Sequence, residues 1–187
     1  MSLVALAVAA LIGITAGVLC VRFRASEKFI MSFFQILRVV PSLAILFLLV
    51  PILGTGFGPA LVALVILGIP PIIINTVTGL EEVPDFMLET ASGCGMTTRQ
   101  SWLAVRIPLA MPLILTGIKT SLIEIIASAT LAAKIGGGGL GEIIFTGIGL
   151  SRTDLILVGG LSVAVLSIGA GLLFNLWDRL LLRYKYV

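Results

Sequence analysis

The chain has 187 residues, 59% of them hydrophobic and only 11% charged, with no histidine. Soluble domains carry about 25% charged residues, so this chain cannot clothe a water-facing surface and belongs in a lipid bilayer. Its net charge of +3, which on a soluble protein would suggest nucleic acid, is then a question of topology; no nucleic-acid partner is expected, and no cluster of polar residues resembles an enzyme centre.

About 20 apolar residues cross a bilayer, and five such windows follow one another. The first, Ser2 to Val21, has no basic stretch before it and is long for a signal core, so it reads as a retained span. The second runs from about Phe33 to Leu53 and contains Pro41. The third, about Phe57 to Thr78, contains Pro70-Pro71, which should kink it. Prolines are tolerated inside spans where neighbouring helices or local distortion satisfy the freed carbonyls, so the count of five stands.

The longest polar interval, residues 79–107, comes next. Pro84 suits the first turn of a helix and Asp85 its positive end. The helix continues through Phe86, Met87, Leu88, Glu89, Thr90 and Ala91. Gly93 and Gly95 permit the positive-φ backbone that stops a helix and turns the chain. Met96 follows, and Thr97 with Gln100 three residues on makes a capping box for a second short helix. Phe86, Thr90 and Gly93 fall near one helical face, and the small Ala91 and Gly93 would let a partner's backbone approach. Two readings are open: a docking surface for a soluble protein, or a helix lying on lipid headgroups. Residues 81–93 carry acids and no bases, which favours a protein partner over anionic lipid.

Pro108 and Pro112 open the fourth window, about Pro108 to Ala133. It holds Lys119 and Glu124, and an ionised carboxylate at mid-membrane costs roughly 2.5–3.5 kcal/mol on insertion scales. Glu124 therefore either lines a transport path, or hydrogen-bonds a neighbouring helix or is protonated. Lys119 stands about 140° round the helix from it, so the two are not expected to pair within that helix. Gly136-Gly137-Gly138-Gly139-Leu140-Gly141 is followed by no Gly-Lys-Ser/Thr and is not a phosphate loop; it reads as a tight rim or re-entrant turn. Ile143 to Leu150 is either a half-span helix or a plain loop. The fifth window, about Asp154 to Leu176, ends at Trp177, Tyr184 and Tyr186, which suit an interfacial belt. Cys20 and Cys94 lie in apolar and polar surroundings, and no disulfide or metal site is expected of them.

Five spans place Arg22, Arg24, Lys28, Arg99, Arg106, Arg179, Arg183 and Lys185 on one side and only Lys134 and Arg152 on the other. Basic loops stay cytoplasmic, so the N-terminus is expected outside, and the docking loop and C-terminus inside. No internal repeat or linker interrupts residues 1–187, which read as one all-α membrane domain.

Glu89-Thr90-Ala91, with Gly93, Arg106-Ile107-Pro108-Leu109-Ala110 and Pro112, resembles the "EAA" loop of permeases of ABC importers. Pro41-Ser42-Leu43-Ala44, Asn75-Thr76-Val77-Thr78-Gly79, Gly117-Ile118-Lys119-Thr120, Ala129-Thr130-Leu131-Ala132-Ala133 and the glycine run look like the glycine betaine and osmoprotectant branch. Similarity to methionine permeases is weaker and covers the same glycine-rich stretch. Thr90, Arg38, Glu124 and Lys134 depart from the pattern. The resemblance implies a type I permease fold with a cytoplasmic coupling helix whose docking residues are Asp85, Phe86, Glu89, Thr90, Ala91, Gly93, Gly95, Met96 and Thr97. It implies a translocation path drawn from Pro41, Ser42, Asn75, Thr76, Lys119, Glu124 and Thr130. It also implies a bacterial or archaeal cytoplasmic membrane, a second permease copy, two ATPase subunits that use ATP and Mg, and an external binding protein; no cofactor is expected on this chain. An importer of methionine or another amino acid is the alternative within the class. A small secondary transporter or channel is the alternative outside it, and would call for inverted repeats.

Overall fold

The computed structural model describes residues 1–181, apart from the side chains of 24–28 and 179–181, and every regular element within them is helical. In chain order these are α1 (Ser2–Arg22), α2 (Arg24–Val39), α3 (Ser42–Leu53), α4 (Phe57–Glu81), α5 (Asp85–Gly93), α6 (Thr98–Ser101), α7 (Ile107–Ala132), α8 (Leu140–Gly149) and α9 (Thr153–Leu181). A π turn, Trp102–Arg106, joins α6 to α7 and a 3-10 turn, Ala133–Ile135, ends it, so Thr98–Ile135 is one helical run of 38 residues. That run, α1, α4 and α9 are each long and apolar enough to cross a membrane.

The second window departs from expectation. It is not one straight span from Phe33 to Leu53 but two helices bent by 96°. Val40 is extended, with φ −67° and ψ 125°, as the residue before a proline is driven to be, and Pro41 then leads into α3. Nor is 22–28 a loop, since α2 starts at Arg24 immediately after Phe23.

The bent pair still makes one crossing. Gly13 and Gly17 of α1 meet Ile72 and Thr76 of α4 in ascending order, so α1 and α4 run parallel. The chain between them must therefore return across the bundle. Ile30, Met31 and Phe34 of α2 pack at the end where α1 finishes, against Cys20, Val21 and Val77. Leu46 of α3 packs at the other end with Ala60, Ala63, Ala132 and Ile135. With the pair counted once there are five crossings.

α1, α4 and α7 form the frame, because small residues let their backbones touch. Ala5, Ala9, Gly13 and Gly17 recur every fourth position on α1 and all are buried. A Cβ on Gly13 or Gly17 would fall 2.8 Å from side-chain carbons of Ile72 or Thr76. Gly117 of α7 is pressed equally close to Asn75 Cβ, 2.8 Å, and to the Pro71 carbonyl oxygen, 3.0 Å. Such contacts are how helices associate where lipid removes the hydrophobic drive between them. Ser121 Oγ, fully buried, donates to the Gly68 carbonyl at 2.8 Å and bonds α7 to α4.

At the end of α7 the glycine run makes the tight turn expected of it: Gly136, Gly138 and Gly139 hold positive φ, a backbone that side chains resist. Gly56 N–H donates to Ile135 O at 2.7 Å, tying the α3–α4 corner to this turn. The Lys134 ammonium lies 5.1 Å from the Phe145 ring centroid, in cation–π contact. The stretch left open as half-span or loop is helix α8, whose 10 residues span about 15 Å, half a hydrocarbon core. It packs antiparallel on α9, with Gly147 against Ile156 and Ile144 against Gly159. Most of α9 faces outward, with Leu161, Val165, Leu172 and Leu173 exposed. Trp177 is exposed near its end, while Tyr184, Tyr186, Arg183 and Lys185 lie outside the described residues. Cys20 is buried, Cys94 is exposed, and no disulfide joins them.

Candidate functional site

The polar interval forms a helical hairpin at the end of the bundle where α4 stops. Pro84 precedes α5 as its N-cap and Asp85 occupies its first turn, where the helix dipole favours an acid. Asp85, Phe86, Glu89, Thr90 and Gly93 are exposed. Phe86, at 62% exposure, is a large apolar group presented to solvent beside two carboxylates. Thr90 Oγ1 donates back to Phe86 O at 2.7 Å. Ala91 is different: it is 5% exposed and faces the chain's own body, so its side chain is not presented to solvent. Half-buried Met87 and Leu88 share that inner side, as the helical period requires.

The turn after α5 is built more specifically than its two glycines suggest. Gly93 is the last helical residue, not a positive-φ position; Gly95 alone of the two is left-handed, with φ +81°. Met96 N–H donates to Ala91 O at 3.1 Å and Gly95 N–H to Ser92 O at 2.9 Å. That pair of bonds is the Schellman closure, which consumes the free carbonyls of a helix end. Thr97 then caps α6: its N–H donates to Gln100 Oε1 at 2.8 Å and its Oγ1 accepts from Gln100 N–H at 3.4 Å, the capping box read from the sequence.

The second short helix is not a separate piece. α6 runs without interruption through the π turn into α7, so the helix of the fourth crossing starts at Thr98 rather than Pro108. The 38 residues measure about 57 Å, well beyond a hydrocarbon core of about 30 Å, and the excess carries the hairpin clear of the bundle. Arg106 fastens it: its Nε donates to Leu80 O at 3.0 Å and its guanidinium lies 4.8 Å from the Trp102 ring centroid. Sequence reading used Arg106 for orientation and missed this clasp between the end of α4 and the base of α7. Val83, 6% exposed, anchors the link between α4 and α5.

The residues expected on a path do not all converge. Pro41, Ser42 and Glu124 line a cavity of about 310 Å³ at the bend of the second crossing, with Arg38, Val40, Pro70 and Ser128. Thr130 lines a different cavity, about 360 Å³, beside Gly137–Gly141 and Ser2, and its hydroxyl bonds Ile126 O at 3.2 Å. Thr76 is fully buried against Gly17 of α1 and Asn75 donates to Pro71 O on its own helix at 2.8 Å. Both occupy helix contacts inside the frame, because α1 and α7 approach α4 there through glycine. Lys119 is half-buried and makes no ion pair with Glu124, as the angle between them on the helix requires. It shares a face with Leu122 and Ile126, which line an apolar groove against α1 and α9.

Five crossings around a glycine-packed frame, a cavity lined by Arg38 and Glu124 and an exposed hairpin at one end define a polytopic membrane protein. Residues 9–184 match the family described as binding-protein-dependent transport system inner membrane component, and the chain belongs to it. It is 41% identical over 167 residues, 89% of this chain and 77% of the relative, to the glycine betaine/carnitine/choline transport system permease protein OpuCB of Bacillus subtilis. It is equally 41% identical over 157 residues, 84% and 72% of the two chains, to the carnitine transport permease protein OpuCB of Listeria monocytogenes. Among solved structures, a chain of the inward-facing MetNI methionine ABC transporter superposes with a TM-score of 0.83 at 22% identity, covering 96% of this chain and 90% of that one. That likeness establishes the fold.

Proposed function

We propose that this chain is the membrane-spanning subunit of an ATP-driven importer for a quaternary ammonium osmoprotectant of the glycine betaine, choline or carnitine type. The observation that carries the substrate class is the 41% identity to permeases of that group over most of both chains, strengthened by the osmoprotectant-like motifs of residues 41–149. The permease is no enzyme; ATP is hydrolysed by partner ATPase subunits docked on α5 through Phe86, Glu89, Thr90 and Gly93. The hairpin end is cytoplasmic and the glycine-turn end external, in keeping with Arg22, Arg99 and Arg106 at the hairpin end and the positive-inside rule.

A second copy of the chain completes the path, since one frame of three packed helices encloses no channel. An external binding protein selects the substrate, holding a trimethylammonium group by cation–π attraction. Closure of the ATPase subunits moves α5, and the helical run from Thr98 carries that movement about 40 Å to Glu124. The test is uptake and stimulated ATP hydrolysis by the reconstituted complex over a panel of betaine, choline, carnitine and amino acids. Quaternary ammonium compounds are expected to stimulate both; stimulation by an amino acid alone would transfer the chain to the amino-acid importers.

A further inference from the structure

The cavity at the bend of the second crossing holds two opposite charges that do not meet. Arg38 from the end of α2 and Glu124 from the middle of α7 both line it, and Arg38 is near enough to act on the Glu124 carboxyl electrostatically. Yet no ion pair within 4.0 Å joins Arg38 to Glu124, and among the described residues no hydrogen bond engages either. Charges placed among membrane helices are costly unless paired or set in a polar cavity, and direct pairing is the simplest relief. Here the break at Val40–Pro41 ends α2 and holds the guanidinium on one wall while α7 holds the carboxylate on another. The space between them, about 310 Å³, lies at the small end of the range for small-molecule sites, about 300–1,000 Å³.

We propose that this cavity is a transit site for a zwitterion, with Arg38 receiving the carboxylate and Glu124 facing the quaternary ammonium. The chemistry suits each wall. A guanidinium offers a fork of N–H donors that matches a carboxylate. A trimethylammonium group has no N–H to donate, so it needs a nearby negative field rather than a hydrogen-bond acceptor, and a carboxylate at a few ångströms supplies one. Ser42 and Ser128 add polar atoms to walls that include Leu37, Val40, Leu67 and Pro70. The site rests on the substrate class proposed above, and it makes the permease a second point of selection behind the binding protein.

The experiment measures KM and maximal uptake of glycine betaine and carnitine, which carry a carboxylate, against choline, which does not, in proteoliposomes containing the complete complex. The binding protein is the same in every sample, so its preference cancels in the ratio of variant to wild type. Arg38→Gln is expected to depress uptake of the two zwitterions about tenfold, the loss of one charge-assisted contact, and to leave choline within about twofold. Glu124→Gln is expected to depress all three. Arg38→Lys keeps the charge and should restore the preference for zwitterions with a raised KM, which also covers the case of Arg38→Gln failing to assemble. An equal fall for zwitterions and choline in Arg38→Gln, or no preference in an assembled Arg38→Lys complex, would overturn the proposal. Should the wild type import no quaternary ammonium compound, the substrate reading has failed instead. The cavity is then tested by the same ratio for the zwitterion that is imported against its methyl ester.

Discussion

The α1–α4–α7 frame and the helices around it are held together differently. Within the frame, Gly13, Gly17, Gly68, Gly79 and Gly117 each bring a neighbouring helix to within about 3 Å of where a Cβ would stand. Outside the frame the packing is mixed: Gly147 of α8 and Gly159 of α9 hold those two helices to each other as closely, whereas Gly160 and Gly169 of α9 have open space about them, and α2 leaves Phe29 and Val39 79% and 82% exposed. Close backbone packing makes a frame that transmits displacement with little deformation. Loose, lipid-facing or partner-facing helices can be repositioned at small cost. The two charges of the cavity stand where these regimes meet: half-buried Glu124 belongs to the frame, and exposed Arg38 to the bent crossing leaning on it.

The largest expected effect tests the contrast directly. Gly117→Leu places a side chain against Asn75 and the Pro71 carbonyl and should destabilise the fold by about 3 kcal/mol, the upper end of overpacking in a tight core. Gly169→Leu, in open space on α9, should change the stability of the isolated permease by no more than about 0.5 kcal/mol. Thermal unfolding of the detergent-solubilised chain compares them, and similar midpoints for the two variants would dissolve the distinction between frame and periphery.

Next come the exposed residues of α5, which belong to neither. Phe86→Ala and Glu89→Ala remove exposed groups and should leave the fold intact. Each should weaken association with the ATPase subunits about tenfold, about 1.4 kcal/mol, and lower uptake in proportion. Co-purification and uptake at matched membrane levels measure this; full activity in both would return α5 to an interfacial role.

Smaller still is Thr97→Ala, which removes one half of the capping box and should cost about 1 kcal/mol. Its signature is local: faster amide exchange through α6 and the π turn, with the frame unchanged. Smallest is Ser121→Ala. It loses the bond to Gly68 O, but helix geometry already gives that carbonyl a backbone donor, so about 0.5–1 kcal/mol is expected. A larger loss would show that polar bonds and not close packing hold α4 to α7.

The hairpin was the most legible part of the molecule because its signals are local. Thr97 and Gln100, three apart, are sufficient to write a capping box, and Gly95 to write a left-handed turn. The misreadings there were also local. Gly93 looked equivalent to Gly95, and only the Schellman bonds distinguish the last helical residue from the one that reverses the chain. Ala91 looked like a docking residue because it is small, whereas its position on the inner side of α5 buries it. Pro108 looked like the start of a helix, yet the chain is already helical before it, entering α7 from the π turn Trp102–Arg106 and continuing through Pro108.

Composition alone put the chain in a bilayer, and the hydrophobic windows set the number of crossings, because a span's length and apolarity are imposed by the lipid whatever its neighbours do. Lateral arrangement is not imposed that way. Nothing in the windows told that Ala5, Ala9, Gly13 and Gly17 face α4, that Asn75 and Thr76 are consumed in helix contacts, or that Arg38 lies across a cavity from Glu124, 86 positions along the chain. In lipid every face of an apolar helix is equally at home, so which face meets which neighbour is decided by the fit of small residues against large ones. That fit exists only once the helices are together, and it set the bend at Pro41 opposite Glu124.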